Sequence, residues 1–317
     1  MSGRSPHADV FDAAIVGLGR IGQGYDYDAA GGGERTHASA FAAHAGFQLV
    51  AGVDPDPAPR ARFEAKFRRP TYADVAGLLA RHRPHVVAIG VPTAQHAEVF
   101  HEAMAGTPRA VLCEKPIAAS VQDAKAMVAA AERHGCALAV NYIRRFDPGV
   151  AALKRAVDAG EVGAVYKASV WYSKGLLNNG SHFVDLLRLL LGEVTSTELI
   201  DRGRDLDGDA EPDFRLRFGD VSVTVLAARE ECVPAGEMTL MATAGTICYA
   251  ERGARIELVG PDGVARRIPS ELARYQWHVA AALHRHLTEA APLASDGRGA
   301  IATLTVIDDV LHLRGRS

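Results

Sequence analysis

The most informative stretch of the chain is AAIVGLGRIG, residues 13–22. A short apolar run of strand length leads directly into three glycines with the spacing G-x-G-x-x-G. Glycine is needed there because the chain turns sharply, its backbone approaches a pyrophosphate, and the helix that follows packs closely on the strand. The N-terminus of that helix offers unpaired N–H groups to the anion. The stretch therefore predicts a dinucleotide-binding turn formed by Gly17, Gly19, Arg20, Ile21 and Gly22.

Around this turn, from Phe11 to Asn141, short apolar runs alternate with longer alanine-rich runs. Runs such as Val86 to Ile89 are apolar throughout, which is typical of a parallel sheet covered on both faces. We predict strands at 13–17, 48–54, 85–91, 110–114 and 137–141, and helices at 75–83, 96–106 and 120–135. This alternation favours a Rossmann domain, a doubly wound parallel sheet, over residues 1–141. In that setting a mere tight turn explains the glycines less well.

After residue 142 the pattern changes. We predict a helix at 149–159, a strand at 164–172 and an apolar helix at 182–191. Alternating segments follow at 214–218, 221–227, 237–242, 246–250 and 255–259, and two helices close the chain at 272–290 and 300–313. Successive strands separated by Gly and Asp turns favour a C-terminal α+β domain with a mainly antiparallel open sheet over residues 142–317. The predicted fold class is α/β with two domains.

The composition fits two soluble domains. The 317 residues are 48% hydrophobic and 23% charged, with a formal net charge of -3, so the chain as a whole has no attraction to nucleic acid or anionic lipid. The first residues lack the apolar core of a signal peptide, and no apolar run approaches the roughly 20 residues that span a bilayer. The four cysteines show no paired-ligand spacing. We expect a cytoplasmic protein with neither nucleic acid nor membrane as a partner.

Asp54 ends the second predicted strand, where a carboxylate can accept hydrogen bonds from the ribose hydroxyls of an adenosine. The residues directly after it provide no cation for a 2′-phosphate, so the sequence favours NAD over NADP; a solvated turn aspartate is the alternative. Asp54 lies 32 positions beyond Gly22 (54 minus 22), against about 20 in the usual pattern. The excess predicts an inserted loop at 23–35, before a helix that begins near Thr36. It forms either a lid over the nucleotide or substrate, or a surface excursion.

The fourth predicted strand runs into Cys113-Glu114-Lys115-Pro116. Ligands of open parallel sheets gather at the carboxyl ends of the strands, so a lysine there can point its ammonium at a bound hydroxyl or carbonyl. A cis Pro116 would help to aim it. The triplet Glu-Lys-Pro is uninformative alone and gains weight from the motifs that accompany it.

Five motifs follow one another along the chain. They are the G-x-G-x-x-G turn, Pro92-Thr93 followed by His96, the triplet Glu114-Lys115-Pro116, Asn141-Tyr142-Ile143-Arg144-Arg145-Phe146, and Gly180-Ser181-His182-Phe183-Val184-Asp185. In this order they resemble the glucose-fructose oxidoreductase / inositol dehydrogenase / rhizopine-catabolism family, usually called Gfo/Idh/MocA. The resemblance covers nearly the whole chain.

The resemblance implies an NAD(P)-dependent oxidoreductase that acts on a sugar, a nucleotide sugar, a cyclitol or a related polyol. It implies a second domain that binds substrate and whose open sheet serves contacts in a homodimer or homotetramer. It implies that Lys115 contacts the reacting hydroxyl and that His182 acts as acid or base. The residues that it places at the cofactor, beside the glycine turn and Asp54, are Pro92, Thr93, His96, Glu114 and Lys115.

The chemistry divides the two catalytic roles. An imidazole with an ordinary pKa of about 6.5 suits removal of a hydroxyl proton near neutrality. Lysine, at about 10.4, is better suited to polarise the oxygen as a cation. The family commonly has an aspartate four residues before the histidine, where this chain has Asn178. An amide can bind a sugar hydroxyl but carries no charge, so Asn178 is a binding residue, or Asn179 occupies that space.

Four further side chains are candidate substrate contacts: Tyr142, Arg145, Trp171 and Lys174. A structural ion pair explains Arg145 equally well, and Trp171 could instead fill the core. His96 lies near the nicotinamide or simply begins its helix. His182 and Asp185 are three residues apart, but two ligands make no metal site. We therefore predict no metal, and expect Asp185 to orient the imidazole or cap its helix.

Two other functions compete with a polyol dehydrogenase. One is a non-catalytic regulator that binds a dinucleotide with the same fold, which the presence of both Lys115 and His182 disfavours. The other is a reductase of a non-sugar imine or enone, which the polar pair Asn178 and Asn179 disfavours.

Overall fold

The computed structural model describes residues 10–27 and 33–315, and the chain divides into two compact units. The first unit comprises Met1–Asn141 together with Ala273–Gly297. The second comprises Tyr142–Leu272 together with Arg298–Ser317. Residues 273–297 thus belong to the first unit, whereas the sequence analysis assigned them to a second domain at 142–317.

A six-stranded parallel sheet forms the centre of the first unit. Its strands are β1 (Phe11–Val16), β2 (Phe47–Val53), β3 (Thr71–Tyr72), β4 (Val86–Ile89), β5 (Ala110–Cys113) and β6 (Ala137–Val140). They lie in the order β3-β2-β1-β4-β5-β6, the doubly wound order of Rossmann domains. Every residue of β4 and β5 is buried, as the apolar pattern predicts for strands covered on both faces. The predicted parallel sheet is confirmed.

An eight-stranded sheet forms the second unit. Its strands are β7 (Val165–Tyr172), β8 (Ser196–Leu206), β9 (Asp209–Phe218), β10 (Val221–Ala227), β11 (Gly236–Ala242), β12 (Gly245–Ala250), β13 (Arg255–Val259) and β14 (Ala265–Ile268). The order is β14-β13-β12-β11-β7-β10-β9-β8. The pair β7 and β10 is parallel and the other neighbours are antiparallel. This confirms the mainly antiparallel sheet.

Side-chain caps explain where several of the helices begin. They are α1 (His37–Ala43), α2 (Pro57–Phe67), α3 (Val75–Arg81), α4 (His96–Met104), α5 (Val121–Arg133), α6 (Pro148–Asp158), α7 (Ser181–Leu191), α8 (Tyr275–Glu289) and α9 (Gly297–Gly315). Ser120 accepts a hydrogen bond from the N–H of Asp123 at 3.0 Å and so begins α5. Asp147 does the same for α6, from the N–H of Gly149 at 2.8 Å. Such a cap contributes about 1 kcal/mol to a helix.

No helix within the described ranges is long and apolar enough to cross a bilayer.

Helix α8 explains why residues 273–297 join the first unit. The ring of His284 lies edge-on to Phe11 and to Phe47, with centroids 5.7 Å apart in each case. Its centroid also lies 5.2 Å from that of the His44 ring, which is tilted against it. Aromatic contacts of this kind favour burial of α8 against β1, β2 and α1, and the sequence pattern of the helix does not reveal this partner.

The core of the second unit lies on one face of its sheet. Ala168, Val170 and Tyr172 of β7 are buried there, together with apolar residues of α6, α7 and α9 such as Phe183. Because successive side chains of a strand point to opposite faces, Trp171 lies on the other face, where it is 46% exposed.

Candidate active site

The glycine turn after β1 has the geometry that the motif requires. Gly17 has a φ of 93°, and a Cβ there would lie 2.6 Å from the carbonyl carbon of Gly90. A Cβ on Gly22 would lie 2.1 Å from the carbonyl oxygen of Gly17. At Gly19, by contrast, a Cβ would meet no described atom within 4 Å. Packing thus requires Gly17 and Gly22, whereas Gly19 leaves open the approach that a pyrophosphate needs.

The helix after this turn is interrupted, which corrects the prediction that the glycines open it directly. Gln23 N–H donates to the Gly19 carbonyl at 3.1 Å, as in an α-helix, but a short 3₁₀ turn at Gly24–Asp26 follows. The Ile21 carbonyl accepts from His37 N–H at 3.1 Å, whereas in a continuous helix it would accept from residue 25. The donor to the Ile21 carbonyl therefore comes twelve residues later in the chain than in a continuous helix (37 minus 25). This number equals the excess of about twelve residues in the spacing between Gly22 and Asp54 over the usual pattern.

Hydrogen bonds to Asp26, near the start of the inserted loop, connect it to Arg35 and Thr36 at the end of the loop. Its carboxylate is nearly buried and accepts from the N–H groups of Arg35 and Thr36 and from the Thr36 hydroxyl, the last at 2.7 Å. Thr36 in turn caps α1, so the helix begins where the sequence predicts. The middle of the loop, residues 28–32, lies outside the described residues, and the lid interpretation stays a prediction.

Asp54 lies against the glycine turn. One oxygen of its carboxylate accepts from the N–H of Leu18 and the other from the N–H of Asp56, both at 2.9 Å. A carboxylate oxygen has a second lone pair, so both oxygens can also accept from ribose hydroxyls. Arg60, six residues further along the chain, is a nearby cation. Its Nη1 donates to the carbonyl oxygens of Asp54 and Pro55.

A cavity of about 500 Å³ adjoins the turn and is rich in positive charge. Arg20, Arg35 and Arg62 line it together with Gly19. The Arg20 guanidinium lies 5.2 Å from the centre of the Tyr25 ring, a cation–π distance. Cations beside an open glycine backbone fit a bound diphosphate.

Glu114, at the end of β5, is held by two buried donors. His37 Nε2 lies 3.0 Å from its Oε1, and Asn141 Nδ2 donates to the same oxygen. The N–H of Lys115 donates to Oε2 at 3.3 Å. Burial alone would raise the pKa of Glu114, but these hydrogen bonds and the nearby charges hold it below its ordinary value. Glu114 is therefore a carboxylate at neutral pH.

The other predicted cofactor residues lie at the same edge of the sheet. The Lys115–Pro116 peptide is cis, and Lys115 is half-buried. Pro92 precedes a 3₁₀ turn at Thr93–Gln95 that follows β4. His96 begins α4 and is buried, and its two ring nitrogens lie within 3.0 Å of the Pro116 and Val91 carbonyl oxygens. Its contact with a nicotinamide stays a prediction.

His182 lies in the first turn of α7, and 8% of its surface is exposed. Its ring meets that of Tyr142 edge-on, with centroids 5.8 Å apart. Tyr142 is itself only 1% exposed. A π-helical turn at Leu176–Gly180 leads into α7, and the N–H groups of Asn179 and Gly180 both donate to Gly175.

Asp185 does not cap α7, which corrects one expectation for it; the helix begins at Gly180 without a side-chain cap. Its carboxylate accepts from Arg145 Nε at 2.7 Å and from the Thr303 hydroxyl at 3.1 Å. Burial raises the pKa of Asp185, although Arg145 opposes this shift. Of the two interpretations of Arg145, the structure shows the ion pair.

The two asparagines differ in their surroundings. Asn179 Nδ2 donates to the Ser173 carbonyl at 3.0 Å, and its Oδ1 accepts from Arg144 at 3.4 Å. The side chain of Asn179 is thus engaged within the protein. Asn178 is exposed, and its main-chain N–H donates to Asp209 at 2.8 Å. Contact of Asn178 or Asn179 with a substrate stays a prediction.

The structure shows the surroundings of Trp171 and Lys174, and their contact with a substrate stays a prediction. Trp171 is exposed, so the interpretation as a core residue is wrong, and it lies on the sheet face opposite to α7, which carries His182. Lys174 pairs with Glu230 at 3.0 Å. Because successive side chains of β7 point to opposite faces of the sheet, Trp171 lies on the face away from the predicted acid or base, His182.

Within residues 10–27 and 33–315, no group of three or more His, Cys, Asp or Glu side chains could hold a metal ion.

Comparison with known proteins identifies relatives of this chain. The myo-inositol dehydrogenase Hyg17 of Streptomyces leeuwenhoekii is 34% identical over 153 residues, which cover 48% of this chain and 42% of that protein. The D-apiose dehydrogenase of Paraburkholderia graminis is 31% identical over 204 residues, 58% of this chain and 51% of that protein. The chain spans about half the length of these curated relatives.

A solved structure and a family model also match this chain. The crystal structure of the WlbA dehydrogenase from Bordetella pertussis, in complex with NADH and UDP-GlcNAcA, matches with a TM-score of 0.79 and 19% identity, covering 96% of each chain. Residues 11–142 match the model of an oxidoreductase family with an NAD-binding Rossmann fold. This segment, which contains the glycine turn, Asp54 and the Glu114-Lys115-Pro116 triplet, matches the Gfo/Idh/MocA oxidoreductase family.

Proposed function

We propose that this protein is an NAD-dependent dehydrogenase or ketoreductase that transfers a hydride between nicotinamide and a secondary alcohol or ketone of a sugar, a nucleotide sugar or a cyclitol. One observation carries the proposal: the glycine turn, Asp54 and the pair Glu114-Lys115 share the carboxyl edge of one parallel sheet. Ligands of open α/β sheets bind at that edge. The names of the relatives support the substrate class, since they are dehydrogenases of myo-inositol and D-apiose.

In this proposal the first unit binds the cofactor. The N–H groups around Gly19 and the guanidinium of Arg20 bind the diphosphate, and Asp54 binds the ribose hydroxyls. The anionic Asp54 repels a 2′-phosphate, and Arg60 directs its Nη1 to backbone carbonyls, which favours NAD over NADP. When bound, the nicotinamide accepts or supplies the hydride.

Two side chains serve the reacting oxygen. Lys115, as an ammonium, polarises the oxygen and stabilises negative charge that develops on it. His182 takes the hydroxyl proton during oxidation and returns it during reduction. Asn178 binds a neighbouring hydroxyl of the substrate. We further propose that the protein works as a homodimer or homotetramer in the cytoplasm.

A substrate panel tests this function. Purified protein is mixed with NAD⁺ or NADP⁺ and with myo-inositol, D-apiose or a UDP-sugar, and the absorbance of the reduced nicotinamide is followed. The reverse reaction is followed with NADH and the corresponding ketones. We expect polyol-dependent formation of NADH, and a preference of about tenfold or more for NAD over NADP. The variant His182→Asn serves as a control and should lose at least about a hundredfold in kcat.

Two outcomes would overturn the proposal. Tight binding of NADH without turnover of any polyol or keto sugar would indicate a non-catalytic regulator. Turnover confined to an imine or an enone would indicate a reductase of non-sugar substrates.

A further inference from the structure

His37 joins two functional parts of the first unit. Its main-chain N–H donates to the carbonyl oxygen of Ile21, in the glycine turn, at 3.1 Å. Its imidazole Nε2 lies 3.0 Å from Oε1 of Glu114, the residue directly before Lys115. Only 1% of His37 is exposed, so no water competes for either bond. One buried residue therefore links the phosphate-binding turn to the lysine motif.

The partners of this imidazole indicate which nitrogen carries hydrogen. Glu114 is a carboxylate with a lowered pKa, so it accepts hydrogen bonds and cannot donate one. His37 Nε2 must then donate. Nδ1 of His37 is buried and has no hydrogen-bond partner among the described residues. The geometry therefore places a hydrogen on Nε2, directed at Oε1 of Glu114.

Asn141 completes the surroundings of the carboxylate. Its own N–H donates to the Cys113 carbonyl at 2.8 Å, which holds it at the end of β6, and its Nδ2 donates to Oε1 of Glu114. Oε1 thus accepts from two side chains, both almost fully buried. A buried anion that loses one of two such donors retains a large uncompensated desolvation cost, so Glu114 would then move or take up a proton.

We propose that His37 is a positioning residue. Its Nε2–H holds the Glu114 carboxylate and so sets where Lys115 stands relative to the glycine turn. The charge of Lys115 in turn contributes to the lowered pKa of Glu114. The expected effect of His37 on turnover rests on the proposed function. The hydrogen bond from His37 to Glu114, and its effect on the position of Lys115, do not.

Three variants test the role of the imidazole. His37→Leu removes the donor and keeps an apolar side chain of similar bulk. His37→Gln keeps an N–H donor, because the glutamine amide nitrogen reaches about as far as imidazole Nε2. His82→Leu is the matched control, since His82 also bonds a side chain of the first unit through Nε2, the Tyr72 hydroxyl at 3.0 Å.

The first readout separates binding from turnover. For each variant we would measure the melting temperature, the dissociation constant for NADH, and kcat and KM with the substrate found in the panel. His37→Leu should lower kcat by about a hundredfold, as expected when a reacting group is displaced by about 1 Å, with NADH affinity changed less than about threefold. His37→Gln should recover most of kcat, and His82→Leu should match the wild type.

The second readout needs no substrate. In protein labelled with ¹⁵N-histidine, the His37 resonances are those absent from the spectrum of His37→Gln. We expect hydrogen on Nε2, and we expect the His37 signal to move in Glu114→Gln and to stay in place in His82→Leu.

The outcomes distinguish this inference from the proposed function. If wild-type protein turns over no polyol but the His37 signal responds to Glu114→Gln, the dehydrogenase proposal fails and the link stands. If the His37 signal does not respond, or if His37→Leu keeps wild-type kcat in a folded protein, the inference is overturned. Equal losses in His37→Gln and His37→Leu would also contradict it, because they would indicate a packing role.

Discussion

The main-chain N–H of His37 donates to the carbonyl oxygen of Ile21 across the inserted loop, in place of the residue that would follow in a continuous helix. The next pair, Ala38 N–H and the Gly22 carbonyl, continues the same ladder at 3.0 Å. The insertion therefore leaves the helical hydrogen bonds next to the glycine turn in place. This relationship explains how a chain with an unusual spacing keeps the geometry that a dinucleotide requires.

The closure of the loop depends on Asp26. Asp26→Ala would leave the N–H groups of Arg35 and Thr36 and the Thr36 hydroxyl without their acceptor. We expect a loss of about 2–4 kcal/mol in the free energy of unfolding, since buried unsatisfied donors cost about 1–3 kcal/mol each. Urea unfolding measures this. The exposed cap Asp74, changed to Ala, should cost only about 1 kcal/mol, and equal losses in the two variants would contradict the prediction.

Lys115→Met tests the ammonium. The substitution keeps the length of the side chain and removes its charge, so turnover should fall to the limit of detection while the dissociation constant for NADH changes little. Stopped assays and fluorescence titration measure the two quantities. Lys125→Met, on the exposed face of α5, is the matched control and should behave as wild type. Loss of NADH binding in Lys115→Met would instead show a structural role.

Asp54→Ala tests the selection of the cofactor. The variant loses the acceptor for ribose hydroxyls and also the repulsion of a 2′-phosphate. Affinity for NAD should fall by about tenfold to a hundredfold, as expected for a hydrogen bond to a charged group, whereas affinity for NADP should fall less. Isothermal titration with both cofactors gives the ratio. Asp56→Ala removes a neighbouring exposed carboxylate and should leave that ratio unchanged; a similar change in both variants would argue against the assignment.

The Arg145–Asp185 ion pair predicts non-additive stability. Asp185 is 2% exposed and Arg145 14%, so Arg145→Met should cost about 3–5 kcal/mol because it leaves a buried anion unpaired. The double variant Arg145→Met/Asp185→Leu should lose less than the single one. Arg215→Met breaks the exposed pair with Glu198 and should cost at most about 1 kcal/mol. A normal stability with a raised KM in Arg145→Met would favour substrate contact instead.

We expect Glu114 to contribute to the loss of folding stability at acid pH. Its pKa is lower in the folded protein than the ordinary value of 4.5, so its carboxylate stabilises the fold fully above that value. The stabilisation is lost as the pH falls through the folded pKa. In Glu114→Gln this component should be absent, so stability should fall less steeply below about pH 4.5 than in wild type. Unfolding curves at several pH values measure the slope; an unchanged slope would refute the prediction, and Glu102→Gln on α4 is the exposed control.

Most of the fold could be predicted because most strands and helices have a clear hydrophobic pattern. The elements that were missed have a weak pattern or none. The apolar runs of the first sheet located five of its strands, but β3 has only two residues and left no pattern. Strand β8, with the sequence STELIDRGRDL, lies at the edge of its sheet and carries polar and charged residues along both faces. Without a buried face it has no hydrophobic alternation to read.

The glycine turn, most of the strands and helices and the length of the insertion follow from the sequence alone, because these features depend on residues that are neighbours in the chain. Three further features depend on packing: Glu114 bonds His37, Asp185 pairs with Arg145, and Trp171 lies on the outer face of its sheet. Such partners come from elements far apart in the chain. No local period records them, because they depend on how those elements pack.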